Sequence, residues 1–267
     1  LLLRIAFDAS GKKGDSAFMV VAGFLSSVTD WADFTSRWTD RLQQDKIEVF
    51  RASQMYRYFS DESDTVQRQK RNSLLDDLME IIQSHVYHKT GCVIELKNLE
   101  RIPSETREKY RLQEYAYAAR SCVGHTREWF ERNRWFDRHV EYIFEDGDEG
   151  KGDLEARFEA DGYGRPEFRP KKDQVRPDGT ISAGFVPLQA ADWLAHVYFV
   201  VYRAFLDGDY DKQQTWAYRE FERMDGRFYT LTADAADELT ARIKIVEETR
   251  YLEDLVPEKQ DDSSREE

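Results

Sequence analysis

Apolar residues recur along the chain at two different periods, and the switches between them set out the elements. Leu1-Leu2-Leu3-Arg4-Ile5-Ala6-Phe7 is too short for a helix and rich in bulky apolar residues, so it predicts a buried strand. It stops abruptly at Asp8-Ala9-Ser10-Gly11, a carboxylate followed by turn residues. A second apolar run, Ala17 to Phe24, predicts the return strand of a β-hairpin. Behind Thr29-Asp30 as N-cap, Trp31, Phe34, Trp38 and Leu42 recur at helical spacing. Ile47-Glu48-Val49-Phe50 predicts a short third strand that leaves through Arg51. After the acidic turn at Asp61 to Asp64, Leu74, Leu75, Leu78, Ile81 and Ile82 lie along one helical face.

The second half repeats the plan. Val86 to Leu96 alternates as a strand does, and Tyr110 to Arg132 carries a helical stripe through Leu112, Tyr115, Ala119 and Val123. Val140 to Phe144 is again an apolar run, and again it ends in acids, Glu145-Asp146-Gly147-Asp148. Successive strand residues face opposite sides, so only one of Glu145 and Asp146 points at any one site. A short helix from Asp153 to Ala160 and a loop from 162 to 184 rich in Gly, Pro, Lys and Arg follow. Pro187 then opens a helix with Leu188, Ala191, Ala195, Tyr198, Tyr202 and Phe205 on one face. From Trp216 to Leu252 the pattern is helical, and 256–267 is expected to be an acidic, disordered tail. Strands interspersed with helices predict an α/β fold, a single domain over residues 1–255.

Composition narrows the function. A formal net charge of -13 excludes a protein that coats nucleic acid or an anionic membrane without selectivity. No apolar stretch reaches the length of a membrane span, Val197 to Val201 being far short of one. Two isolated cysteines, Cys92 and Cys122, predict reduced, buried thiols and a cytoplasmic location. The opening leucines are too few for a secretory signal. His85, His88 and Cys92 do not make a zinc site if they share a strand, because the two histidines would then face opposite sides.

What remains is a set of acids in costly places. Asp8 ends a buried strand, Glu145 or Asp146 ends another, and Asp192 sits on the packing face of the late helix between Leu188 and Ala195. If the two strands are neighbours and the helix crosses them, three carboxylates converge. Such a cluster suits hard cations with oxygen ligands, Mg²⁺ or Mn²⁺, and two such ions are the machinery of phosphodiester cleavage.

The strand ending Asp8-Ala9-Ser10-Gly11, the strand ending Glu145-Asp146-Gly147 and the helix Pro187-Leu188-Gln189-Ala190-Ala191-Asp192-Trp193-Leu194-Ala195 together resemble the bacterial domain-of-unknown-function 3800 family. The resemblance spans about residues 3–206, and the helix motif is its most specific part. It implies a ribonuclease H-like fold, a mixed five-stranded sheet flanked by helices, here with a helical C-terminal extension. It also implies that Asp8, Asp146 and Asp192 are catalytic metal ligands, assisted by Glu145 or Asp148. Two positions depart from the family pattern: Ala9 stands where a Glu is usual, and Arg51 where a His is frequent. The implied activity is metal-dependent hydrolysis of DNA or RNA, in a bacterial defence or mobile-element system. The departures open an alternative, an inactive binding subunit of a larger complex with a protein partner.

Two segments are locally basic. Arg127, Arg132, Arg134 and Arg138 interleave with Trp129, Phe130, Trp135 and Phe136, either as a stacking surface or as a buried face with its arginines paired nearby. Arg165, Arg169, Lys171, Lys172 and Arg176 lie in the loop before the late helix and are the expected nucleic-acid contacts.

Overall fold

The first apolar run forms β1 (Leu2–Ser10), and it becomes central because both of its edges are paired. On one edge it pairs antiparallel with β2 (Phe18–Ser27), which pairs antiparallel in turn with β3 (His88–Glu95). On the other edge it pairs parallel with β4 (His139–Glu145), and β4 with β5 (Glu167–Arg169). A separate small hairpin is made of β6 (Gln174–Val175) and β7 (Ile181–Ser182). β8 (Gly226–Leu231) adds parallel to β3, so the six-stranded mixed sheet runs β5-β4-β1-β2-β3-β8. This computed structural model describes residues 2–11, 16–59, 64–135, 139–147, 150–213 and 215–255, and the expected tail at 256–267 lies outside them.

Helices cover both faces. Against one face pack α1 (Val28–Gln44), with α2 (Thr65–His85) laid on α1, and, later in the chain, the Pro187 helix; against the other lie α3 (Glu114–Arg132) and α4 (Lys151–Asp161). The Pro187 helix is α5 (Pro187–Leu206), followed by α6 (Trp216–Arg223) and α7 (Ala233–Leu255). Ala6, Val20, Phe24 and Ile143 point into the layer with Phe34, Trp38, Leu188 and Trp193. Ile5, Phe7, Val21 and Phe144 point into the layer with Ala119, Val123 and Phe158. This alternation positions the acids. Two residues beyond Ala6 and Ile143, Asp8 and Glu145 fall on the α5 side, and Asp146 does not.

Three expectations need correction. Residues 47–50 form no strand, although Ile47 and Phe50 are buried. Side chains satisfy their backbone instead: Phe50 N donates to Gln189 Oε1 and Val49 O accepts from Tyr58 Oη. The C-terminal region, expected to be helical throughout, contributes β8, whose Gly226 to Leu231 pairs with the edge of β3 from Lys89 to Ile94. The sheet therefore has six strands where five were expected. The helix α1 also begins earlier than expected, capped by Ser27 Oγ, which accepts from Asp30 N. No helix among the described residues is long and apolar enough to cross a membrane.

Candidate functional site

At the lip of β1, Asp8 is 1% exposed, in a setting where a lone carboxylate is strongly disfavoured. Its Oδ1 accepts from Ala9 N at 2.7 Å. Its Oδ2 faces the ammonium of Lys171, which is 3% exposed and comes from the loop after β5. Lys171 Nζ lies 2.7 Å from Asp8 Oδ2, 3.0 Å from Glu145 Oε2 and 3.0 Å from Asp192 Oδ1. Three acids from β1, β4 and α5 thus meet around one buried cation.

Two side chains on α5 shape this arrangement. Asp192 Oδ2 accepts from Ala52 N at 2.7 Å, so the carboxylate is anchored on one oxygen and offers the other to Lys171. Gln189, 2% exposed, bonds the surrounding backbone and Trp38 through both ends of its amide. Its Oε1 accepts from Trp38 Nε1 and Phe50 N, while its Nε2 donates to Lys171 O at 3.1 Å. Phe185 N donates to Pro170 O at 2.8 Å, and a Cβ on Gly184 would come within 2.3 Å of the Lys172 carbonyl carbon. The backbone that carries Lys171 is therefore clamped from two sides.

Charge follows from this geometry. Burial pushes the Asp8 carboxyl well above the ordinary carboxylate range; Lys171 opposes the shift, and Asp192 and Glu145 reinforce it. Burial by itself would lower the Lys171 ammonium, but Asp8, Asp192 and Glu145 outweigh it and hold Lys171 above the usual lysine value. One turn on from Asp192, burial lowers the pKa of the His196 imidazole against the pull of Asp192.

The structure brings Asp8, Glu145 and Asp192 together and leaves Asp146 outside. Asp146 N donates to Arg169 O, and its side chain turns to solvent, paired with Lys151. Asp148 lies outside the described residues. Arg51 is exposed and is not the partner of Asp192; Lys171 and Ala52 N are. The expected nucleic-acid loop divides. Lys171 is buried in the acid cluster, so it is not a surface contact as the protein stands. Arg165 pairs with Glu155, Arg169 with Glu167 and Lys172 with Glu48, and Arg176 donates to Ser182 Oγ. In the other basic segment, Trp129 and Phe130 are buried in the core, and Arg127 lies over the Tyr163 ring. Arg138 and Phe136 lie outside the described residues.

The donors are all carboxyl oxygens, the ligand type that hard divalent ions take. Three carboxylates converge, and Asp8 Oδ2 is buried with no directed hydrogen bond despite its ion pair. Among the described residues, no group of three or more His, Cys, Asp or Glu stands ready to hold a metal ion. Lys171 Nζ occupies the point where the three acids meet, 2.7–3.0 Å from an oxygen of each. Metal–oxygen bonds of about 2.1 Å require each to close in by less than about 1 Å. The chain matches no family model, and no curated protein matches it.

Proposed function

We propose that this chain hydrolyses phosphodiester bonds in nucleic acid, on a ribonuclease H-like fold, with Mg²⁺ or Mn²⁺ held by Asp8, Glu145 and Asp192. The observation that carries the reading is the meeting of three acids from three separate elements at one buried point. The antiparallel β1–β2–β3 meander, continued by parallel β4 and β5, supports the fold, being a mixed five-strand core of the kind the resemblance implies. When bound, the ions supply Lewis acidity at the phosphoryl oxygen and a water activated for attack. The chain's own contribution is placement. β1 holds Asp8 rigidly, and the Ala52 amide orients Asp192. Lys172 and Arg165, in exposed ion pairs worth little, are free to exchange their partners for substrate phosphates.

The test is incubation with single-stranded, duplex and hybrid substrates in Mn²⁺, beside Asp8→Asn and Asp192→Asn. Cleavage by the parent chain alone is expected; cleavage that persists in both variants overturns the assignment. One observation favours a second reading. Lys171 supplies a resident positive charge, as it would in a non-catalytic subunit whose metal has been replaced for good. Under that reading, titration calorimetry detects no Mn²⁺ binding that disappears in Asp192→Asn.

A further inference from the structure

We propose that Lys171 is a displaceable internal cation, which leaves the carboxylates when metal enters and moves onto the substrate phosphate. The inference rests on the metal-dependent reading above. Lys171 is the centre of the cluster, in contact with all three acids, so a metal cannot take that point while the ammonium holds it. One ammonium faces the oxygens of three acids, a donor set that a divalent ion meets better than a single positive charge.

The geometry also says how the exchange is made. Lys171 O is held by Gln189 Nε2, and Pro170 O by Phe185 N, so the backbone stays and the flexible side-chain stem moves. Its way out passes the two acids nearest solvent, Glu145 and Asp192, whose side chains are 21% and 16% exposed. A desolvated ammonium driven from three carboxylates needs a new anion, and a phosphodiester beside the site provides one. Metal and nucleic acid then favour each other's binding, by the reciprocity that any coupling between two ligands obeys. Lys171 thus serves first as guard of the empty site and then as a phosphate contact.

The experiment uses the full chain and titration calorimetry with Mn²⁺, in the presence and absence of a short single-stranded phosphorothioate oligonucleotide. The parent chain is expected to bind Mn²⁺ at least about tenfold more tightly with the oligonucleotide. Lys171→Met is expected to bind Mn²⁺ at least about tenfold more tightly than the parent without it, and to gain nothing further when it is added. Equal Mn²⁺ affinity in parent and variant overturns the exchange and leaves the metal site standing. Absence of Mn²⁺ binding in both overturns the metal reading, and the exchange with it. A measurement on the parent chain alone guards against a variant that does not fold. In saturating Mn²⁺, reductive methylation of Lys171, read by mass spectrometry, should rise at least about tenfold; unchanged labelling overturns the proposal.

Discussion

Two lysines are buried among the described residues, Lys89 and Lys171, and they are stabilised in opposite ways. Lys89, on β3, is 3% exposed, as Lys171 is. Its ammonium has one carboxylate, Glu222 Oε1 at 3.3 Å, together with the Tyr198 hydroxyl and the faces of the Tyr198 and Phe228 rings. One positive charge meets one negative charge, and aromatic rings complete the shell. At the other site one ammonium meets three carboxyl groups at shorter distances. A pair that balances is what structural stability requires. A cluster of buried acids around one lysine does not by itself stabilise the fold, which is the cost that the proposed metal site would explain.

The widest separation between the two sites is expected from removing each lysine. Lys171→Met leaves buried carboxylates without a cation and should cost about 3–5 kcal/mol in EDTA. Lys89→Met strands only Glu222, whose side chain is 47% exposed and stays hydrated, so it should cost about 1 kcal/mol or less. Denaturant melts of both variants check this, and Mn²⁺ should restore stability to the first alone. Equal losses would break the comparison. On activity, Asp8→Asn should lower Mn²⁺-dependent cleavage by at least about 10²–10³-fold, while Glu222→Gln leaves it within about twofold. Initial rates on a labelled oligonucleotide decide between them.

Acidity should pull the two regions in opposite directions. His88, next to Lys89, stacks on Trp129 with neither ring nitrogen hydrogen-bonded, and burial lowers its pKa from 6.5 to about 4. The folded protein therefore binds fewer protons there than the unfolded chain. Stability from this group is full above pH 6.5 and is lost as pH falls towards about 4, by about 3 kcal/mol. His88→Gln should flatten that limb of a stability-against-pH curve. Asp8 is raised instead, so the folded state binds more protons than the unfolded one above pH 3.8, and its contribution declines as pH rises from there. The difference in stability between the parent and Asp8→Asn, measured in EDTA, should shrink with rising pH; growth would reverse the sign. The smallest effect is expected from Asp192→Asn. Lys171 keeps two acids, and an Asn oxygen still accepts from Ala52 N, so melting in EDTA should change by less than about 1 kcal/mol.

Much of the site was legible because burial and charge conflict in the sequence itself. Asp8 ends an apolar run, and Asp192 follows Leu188 by one turn, so both stand out without any structure. The choice between Glu145 and Asp146 was not legible. Parity ties Glu145 to Ile143 and Asp146 to Phe144, but which face receives α5 depends on packing across the whole sheet. Lys171 was hidden for a different reason. Among Arg165, Arg169, Lys172 and Arg176 it looks like one more surface cation, and only a contact 163 residues away in sequence sets it apart (Asp8 to Lys171). β8 escaped notice because six residues of alternation sit between two strongly helical segments. The apolar residues of 47–50 misled because side-chain partners, chiefly Gln189, replace the neighbouring strand they suggested.

The clamp at the base of the β6–β7 hairpin has a consequence for protein engineering. Pro170 and Lys171 are tied to Phe185 and Gln189, Asp173 Oδ1 accepts from Gly184 N at 2.7 Å, and Gly184 lies against the Lys172 backbone. Chain beyond that closure has its ends already held together, and lengthening a loop with fixed ends adds only about 0.6 kcal/mol per doubling. The tip at Asp178-Gly179 is therefore a graft point. A fluorescent reporter or an affinity peptide inserted there would ride beside the acids without shifting them.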